Sequence, residues 1–273
     1  MIKTGFYKNI KKLIDQEKYF GNSVNHKLLE DLGFFVIKNG LPKNIINKYH
    51  KKFLEFSENK KVNKTKKHPV EVKIESINFF HKIFKEKHLK NLVKGFYNGQ
   101  VGSDFFRIVK KDNKNLSAVF CHQDTGYQMG SFDRYSLFIC LTDNSKLNGG
   151  MIIYPSTHKF GYLGDAGEIS KKLTKNFINI CPDLKVGDVL LMHSALWHKS
   201  NKNFTKKNRI YFEIHIQNIN DPNTKYNIIG TRKKKEIIQL PNTKKIFSNS
   251  RITRIINFKK KILSLEKKLN KYG

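Results

Sequence analysis

His122 and Asp124 stand one residue apart in the run Ser117-Ala118-Val119-Phe120-Cys121-His122-Gln123-Asp124, which reads as a β-strand. Side chains on a strand alternate between faces, so positions 122 and 124 point one way and Cys121 the other. An imidazole nitrogen and a carboxylate oxygen on one face make two adjacent metal ligands. One more histidine would complete a 2-His-1-carboxylate set, which grips a metal from one side and leaves its remaining positions open to reactants. The tripeptide alone is a weak signal, because a solvated His and Asp give the same pattern. The chemistry depends on what the rest of the chain supplies.

About 70 residues downstream, Gly187-Asp188 forms a turn signal ahead of the apolar run from Val189 to Ser200, which reads as a buried strand. It offers two further candidate ligands, His193 and His198. A polar tip over 201–208 has the composition of a loop, and Arg209 to Gln217 then alternates strictly. Ile210, Phe212, Ile214 and Ile216 share one face; Arg209, Tyr211, Glu213, His215 and Gln217 share the other. In an open antiparallel sheet such a polar face points to solvent. In a barrel it lines a cavity, and a hairpin from His198 to Arg209 would return the arginine to the metal. Arginine binds a carboxylate through two parallel hydrogen bonds, so a metal with open sites and a nearby guanidinium could hold both ends of a 2-oxo diacid.

These residues resemble the phytanoyl-CoA dioxygenase family of Fe(II)/2-oxoglutarate-dependent oxygenases. Four blocks carry the likeness: His122-Gln123-Asp124 followed by Tyr127; Asn148-Gly149-Gly150 leading to Pro155-Ser156-Thr157-His158-Lys159; Gly187-Asp188 leading to His198-Lys199-Ser200; and Arg209, eleven positions after His198. Leu29 to Leu41 is similar to the opening helix-to-strand segment of the family. The resemblance implies that His122, Asp124 and His198 hold Fe(II), with His193 left to a role inside its strand. It implies that Arg209 and Ser200 bind 2-oxoglutarate, with Phe138 in place of the family's usual tryptophan at the pocket wall. Tyr127, Gln128, Arg134, Tyr211 and Glu213 are the candidates for the substrate pocket. Pro155-Ser156-Thr157-His158 lacks the glycine of the family's Pro-Gly-Ser-His, which implies a different turn, and His158 is read as a structural histidine that caps it. Related halogenases replace the carboxylate ligand with a small residue, so the presence of Asp124 implies hydroxylation. The co-substrates are then 2-oxoglutarate and O2, and the co-products succinate and CO2.

The expected fold is a β-rich α+β arrangement: a double-stranded β-helix, or cupin-like jelly roll, with flanking helices. Residues 1–230 would form the dioxygenase domain, with its core at about 102–218, and residues 231–273 a basic extension. Asn25 to Phe56 reads as helix, short strand, helix; 60–68 as a charged loop; and 77–96 as a further helical stretch. A loop or short helix around 161–175 interrupts the strands. The helices should cover Ile210, Phe212, Ile214 and Ile216. The extension carries 14 Lys/Arg against Glu236 and Glu266, a net +12, and apolar residues at helical spacing from about Ser248. Such a helix would dock its apolar stripe on the barrel, or reach a membrane surface or a partner.

Composition sets limits on the function class. A chain of 273 residues with 38% apolar residues can build one core. Cys121, Cys140 and Cys181 lack metal-type or redox spacing and suggest reduced thiols in a cytoplasm. No apolar run is long enough to span a membrane, and the first residues lack the apolar stretch of a signal peptide. The net charge of +31 raises the question of nucleic acid, but the lysines run from Lys3 to Lys271 without one aromatic-interleaved cluster. The reading therefore favours a small-molecule substrate, with an acidic one suiting the charge. The alternatives are an AlkB-like nucleic-acid dealkylase, or a non-catalytic jelly roll that binds a metal or sugar.

Overall fold

The computed structural model describes residues 4–59, 70–72, 74–112, 118–124, 133–163, 169–233 and 257. By its own contacts the chain divides into two compact units, Met1–Lys233 and Lys234–Gly273. The second lies almost wholly outside the described residues, and so does the basic helix expected from Ser248. The charged loop at 60–68 also lies outside them.

The first unit opens with helix α1 (Thr4–Asp15), strand β1 (Phe20–Gly21), helix α2 (His26–Leu32), strand β2 (Phe34–Ile37) and helix α3 (Lys43–Asn59). Asn25 caps α2 by accepting the Leu28 N–H at 3.1 Å, and Gly33 ends it in the left-handed region at φ 78. This is the stop that glycine supplies at least cost. Strand β3 (Val70–Val72) follows. The helical stretch expected at 77–96 breaks into α4 (Asn78–His81), a 3₁₀ turn (Lys82–Lys85) and α5 (Lys87–Val93). Strands β4 (Val101–Ser103), β5 (Phe106–Lys111), β6 (Val119–His122), β7 (Tyr135–Cys140) and β8 (Met151–Ile153) come next. Helix α6 (Lys171–Thr174) interrupts them before β9 (Val189–His193), β10 (His198–Ser200), β11 (Arg209–Asn218) and β12 (Tyr226–Ile229).

The strands form two sheets. The larger runs β1-β2-β9-β7-β11, and β11 then pairs with β5 along its first half and with β4 at its end. The smaller runs β6-β10-β8. Two sheets enclosing one cavity, with helices against the larger, make a double-stranded β-helix with flanking helices. The helices cover the outer face of the large sheet. Ile210, Phe212, Ile214 and Ile216 are buried there among Leu29, Ile46, Tyr49, Phe53, Phe80 and Phe96. Removing each such side chain from water stabilises the fold by about 1.5–3 kcal/mol. The inner face packs Phe138, Cys140 and Tyr211 of the large sheet against Met151 and Ile153 of the small one.

The run from Val189 to Ser200 is not one strand. It breaks after His193, and residues 194–197 carry the chain from the large sheet to the small one. The expected hairpin between His198 and Arg209 is also absent, because β10 pairs with β6 and β8 while β11 pairs with β7 and β5. Periodicity sees an unbroken apolar run; it does not register that the run is buried first in one sheet and then in the other.

Candidate metal centre and its cavity

A cavity of about 530 Å³ lies between the sheets, lined by His122, Asp124, Met151, His198 and Ser200 on one side and by Arg107, Phe138, Arg209, Tyr211, Glu213 and His215 on the other. His122 ends β6 and His198 begins β10, and the two are direct cross-strand partners. Their ring centroids are 4.4 Å apart. Asp124 sits just past the end of β6, where its Oδ1 lies 3.6 Å from His122 Nε2 and 3.5 Å from His198 Nε2. Three ligand atoms all within 4.8 Å of one another could hold one metal ion.

The hydrogen bonds behind these atoms fit a metal. The Nδ1 of His122 meets Phe120 O at 2.8 Å, and the Nδ1 of His198 meets Leu196 O at 2.9 Å. A carbonyl can only accept, so each Nδ1 carries the proton and each Nε2 turns a lone pair inward. Ser136 donates to Asp124 Oδ2 at 3.1 Å and leaves Oδ1 toward the histidines. Burial raises the Asp124 pKa, but His198 and His122 outweigh it and hold the carboxyl well below its usual range. For His198, burial lowers the pKa and Asp124 raises it, with a net rise. Cys121 faces away, into a cluster with Ile152, Tyr154 and Trp197.

The far wall is cationic. Arg209 is buried, donates from Nη1 to Gly149 O at 3.1 Å, and lies 4.6 Å from the Tyr211 ring. Its Nε and the Tyr211 hydroxyl are buried without a hydrogen-bond partner among the described residues. Across the β5–β11 register, Arg209 faces Lys111, which is 0% exposed. Lys111 donates to Ser200 Oγ at 2.8 Å and to Asn201 O. Neither cation is in an ion pair with a carboxylate among the described residues. Burial, then repulsion from Arg209, lowers the Lys111 pKa to about 7, and burial lowers that of Arg209. A cavity-lining guanidinium with an unsatisfied N–H, and a second desolvated cation behind Ser200, fit an anionic guest. The Asn-Gly-Gly block serves this wall: Gly149 has φ 88, its carbonyl holds Arg209, and a Cβ there would collide with Lys111.

On the same wall, Arg107 clasps Glu213 with Nε at 2.7 Å and Nη2 at 3.1 Å, and His215 Nε2 meets the same carboxylate at 2.8 Å. Burial pushes the Glu213 pKa up, yet Arg107 and His215 hold it below the ordinary range. Glu213 and Tyr211 thus line the cavity as parts of a tied wall. Arg134 does not line it. That side chain is buried and bound to Asp104 at 2.6 Å, behind the wall, because a buried guanidinium needs a carboxylate. Tyr127 and Gln128 lie outside the described residues. Phe138 is buried on the cavity wall with its ring 5.7 Å from Tyr211.

At the altered turn, Ser156 takes the left-handed conformation at φ 65. Its N–H and Oγ, bonded to Leu32 O and Asp31 O, both at 2.7 Å, offset that strain. His158 meets Glu30 O at 2.9 Å and does not line the cavity.

Comparison with known proteins agrees with this geometry. The family model for phytanoyl-CoA dioxygenase (PhyH) matches residues 29–211. The chain belongs to that family. Membership makes it an iron- and 2-oxoglutarate-dependent oxygenase. No curated protein matches it in sequence. Among solved structures it is similar to the epimerase SnoN in complex with Fe3+, alpha ketoglutarate and nogalamycin RO, with TM-score 0.62 and 13% identity over 80% of this chain and 89% of that one. It is similar to EctD from S. alaskensis with 2-oxoglutarate and 5-hydroxyectoine, with TM-score 0.60 and 15% identity over 70% and 74%. HygX from Streptomyces hygroscopicus with nickel and 2-oxoglutarate gives TM-score 0.56 and 14% identity over 71% and 87%. At these identities the likeness shows the double-stranded β-helix.

Three contributors escape sequence reading. Lys111, Arg107 and Ser136 matter through their neighbours. Lys111 and Arg107 are two of 53 Lys and Arg residues, and only the pairing of β5 with β11 marks them out.

Proposed function

We propose that this oxygenase hydroxylates a C–H bond of a small-molecule or metabolite-linked substrate and releases succinate and CO2. The observation that carries the reading is the convergence of His122 Nε2, His198 Nε2 and Asp124 Oδ1 in a cavity lined by Arg209, with Lys111 buried behind Ser200 and neither cation paired with a carboxylate among the described residues. His122, Asp124 and His198 would hold Fe(II), and Arg209 with Ser200 would bind the distal carboxylate of 2-oxoglutarate. Bound iron would supply O2 activation coupled to decarboxylation of 2-oxoglutarate.

The chain's own residues orient and exclude. Phe120 O and Leu196 O fix the imidazoles, and Ser136 fixes the carboxylate. Phe138, Met151 and Val109 keep the walls apolar between the metal end and the cationic end. Glu213, Arg107 and His215, tied together, hold the opposite wall rigid for the substrate. Asp124 fills the position that a halogenating relative would leave open, which favours hydroxylation. A 530 Å³ cavity suits a small molecule, and Lys199 and Lys225 on its wall suit an acidic group on it. The cysteines form no disulfide, which fits a reducing compartment, and we place the protein in the cytoplasm. Among the described residues no helix is long and apolar enough to cross a membrane.

The test is succinate release from 2-oxoglutarate with and without Fe(II), screened against small acidic metabolites. The expected result is iron-dependent release that one substrate class stimulates and that His122→Ala abolishes. Stimulation by a methylated single-stranded oligonucleotide alone would move the function to nucleic acid. No release under any condition would leave a binding module.

A further inference from the structure

The first histidine of the Val189–Ser200 run does not line the metal end of the cavity, yet it is tied to it. His193 Nδ1 accepts the Ala195 N–H at 3.0 Å, and His193 O accepts the Leu196 N–H at 2.9 Å. These two bonds close a tight turn over 193–196. The turn is anchored outside by His193 N to Gly33 O at 2.8 Å and Ser194 N to Arg134 O at 2.9 Å. Its next three carbonyls all point at the metal-ligand segments. Ser194 O accepts the Asp124 N–H at 3.0 Å. Ala195 O accepts Gln123 Nε2 at 2.6 Å. Leu196 O accepts the His198 Nδ1–H at 2.9 Å. The turn thus sets the backbone of Asp124, the side chain of Gln123 between His122 and Asp124, and the tautomer and ring plane of His198.

We propose that His193 is a positioning residue for the metal centre, acting through its Nδ1 lone pair as the side-chain brace of this turn. The inference rests on the assignment of His122, Asp124 and His198 as metal ligands. An acceptor two bonds from Cβ that takes the N–H two residues on is the geometry that Asn and Asp use in Asx turns. In β9 it lets a strand residue start a turn without glycine or proline. The remaining ring nitrogen, Nε2, lies 3.8 Å from Asp133, at the outer side. The inward and outward nitrogens of His193 therefore have separable roles.

Two amides divide them. The Oδ1 of Asn occupies the place of Nδ1, and the amide of Gln reaches the place of Nε2. Mn(II) affinity, read from the EPR signal of the free ion, should stay within about threefold of wild type in His193→Asn. It should fall at least about tenfold in His193→Gln and His193→Leu, the range for loss of an outer-shell partner. Thermal unfolding of the metal-free proteins accompanies each titration, and the Asn–Gln split decides the matter if the Leu variant does not fold. Equal affinity in wild type, Gln and Leu proteins overturns the proposal. So does an Asn variant as weak as Gln, since the brace would then not be Nδ1. A wild-type protein whose Mn(II) affinity is indifferent to Asp124→Ala would instead sink the ligand assignment beneath it.

Discussion

Replacing Lys111 by methionine separates the cost of a buried charge from its use. Lys111 is 0% exposed, and among the described residues its ammonium has Ser200 Oγ and Asn201 O as acceptors. Burial and the nearby Arg209 bring its pKa from the usual 10.5 to about 7. At roughly 1.4 kcal/mol per pH unit, that difference is a cost of about 5 kcal/mol for carrying the cation in the ligand-free fold at low pH. The unfolded chain keeps its proton up to the usual value. Between these two values the folded protein binds fewer protons, so the penalty is full below about pH 7 and shrinks as pH rises toward 10.5. Methionine nearly conserves the volume but leaves the Ser200 hydroxyl and the Asn201 carbonyl without this donor, which costs about 1–3 kcal/mol. Lys111→Met should therefore be more stable than wild type by about 2–4 kcal/mol near pH 6, with the advantage gone by about pH 10. Urea unfolding at a series of pH values reads this directly. The same variant should bind 2-oxoglutarate at least about tenfold more weakly near pH 6.5, having lost the positive charge behind Ser200. Wild-type affinity should decline as pH passes 7 upward, while the variant stays flat. A variant that is less stable than wild type by the same margin at every pH, with unchanged 2-oxoglutarate affinity, would refute the reading of Lys111 as a charge held for an anion.

Three further perturbations address the other parts of the site and its support. Asp124→Ala removes the carboxylate that both histidines face and should reduce iron-dependent succinate release by more than about a hundredfold, with Mn(II) binding lost in parallel. Arg209→Gln keeps a donor toward Gly149 O but removes the charge; the KM for 2-oxoglutarate should rise by about 10–100-fold, with a smaller effect on binding of the primary substrate. Phe212→Ala empties the contact with Tyr49, Phe80 and Phe106 on the helix-covered face and should cost about 3–5 kcal/mol in urea unfolding, without a specific loss of metal affinity in the protein that remains folded.

Local chemistry was legible in the sequence wherever it is written in adjacent or evenly spaced residues. The His122-Gln123-Asp124 tripeptide, the alternation of β11 and the Asn-Gly-Gly block depend on backbone period and on residue types that few other roles require. The covering of Ile210, Phe212, Ile214 and Ile216 by helices followed from the same period, since a half-apolar strand must bury that half. The tertiary structure alone decided what crosses between segments. A run of apolar residues carries no mark of changing sheets, so the break at His193 and the missing hairpin were invisible. A lysine among many becomes the buried neighbour of Arg209 only because β5 lies beside β11, and Arg134 turns from rim candidate to buried partner of Asp104 through the same folding. Which of His193 and His198 faces the cavity was settled by the turn between them: pairing with β6 turns one imidazole inward, and the hydrogen bonds of the turn hold the other behind it.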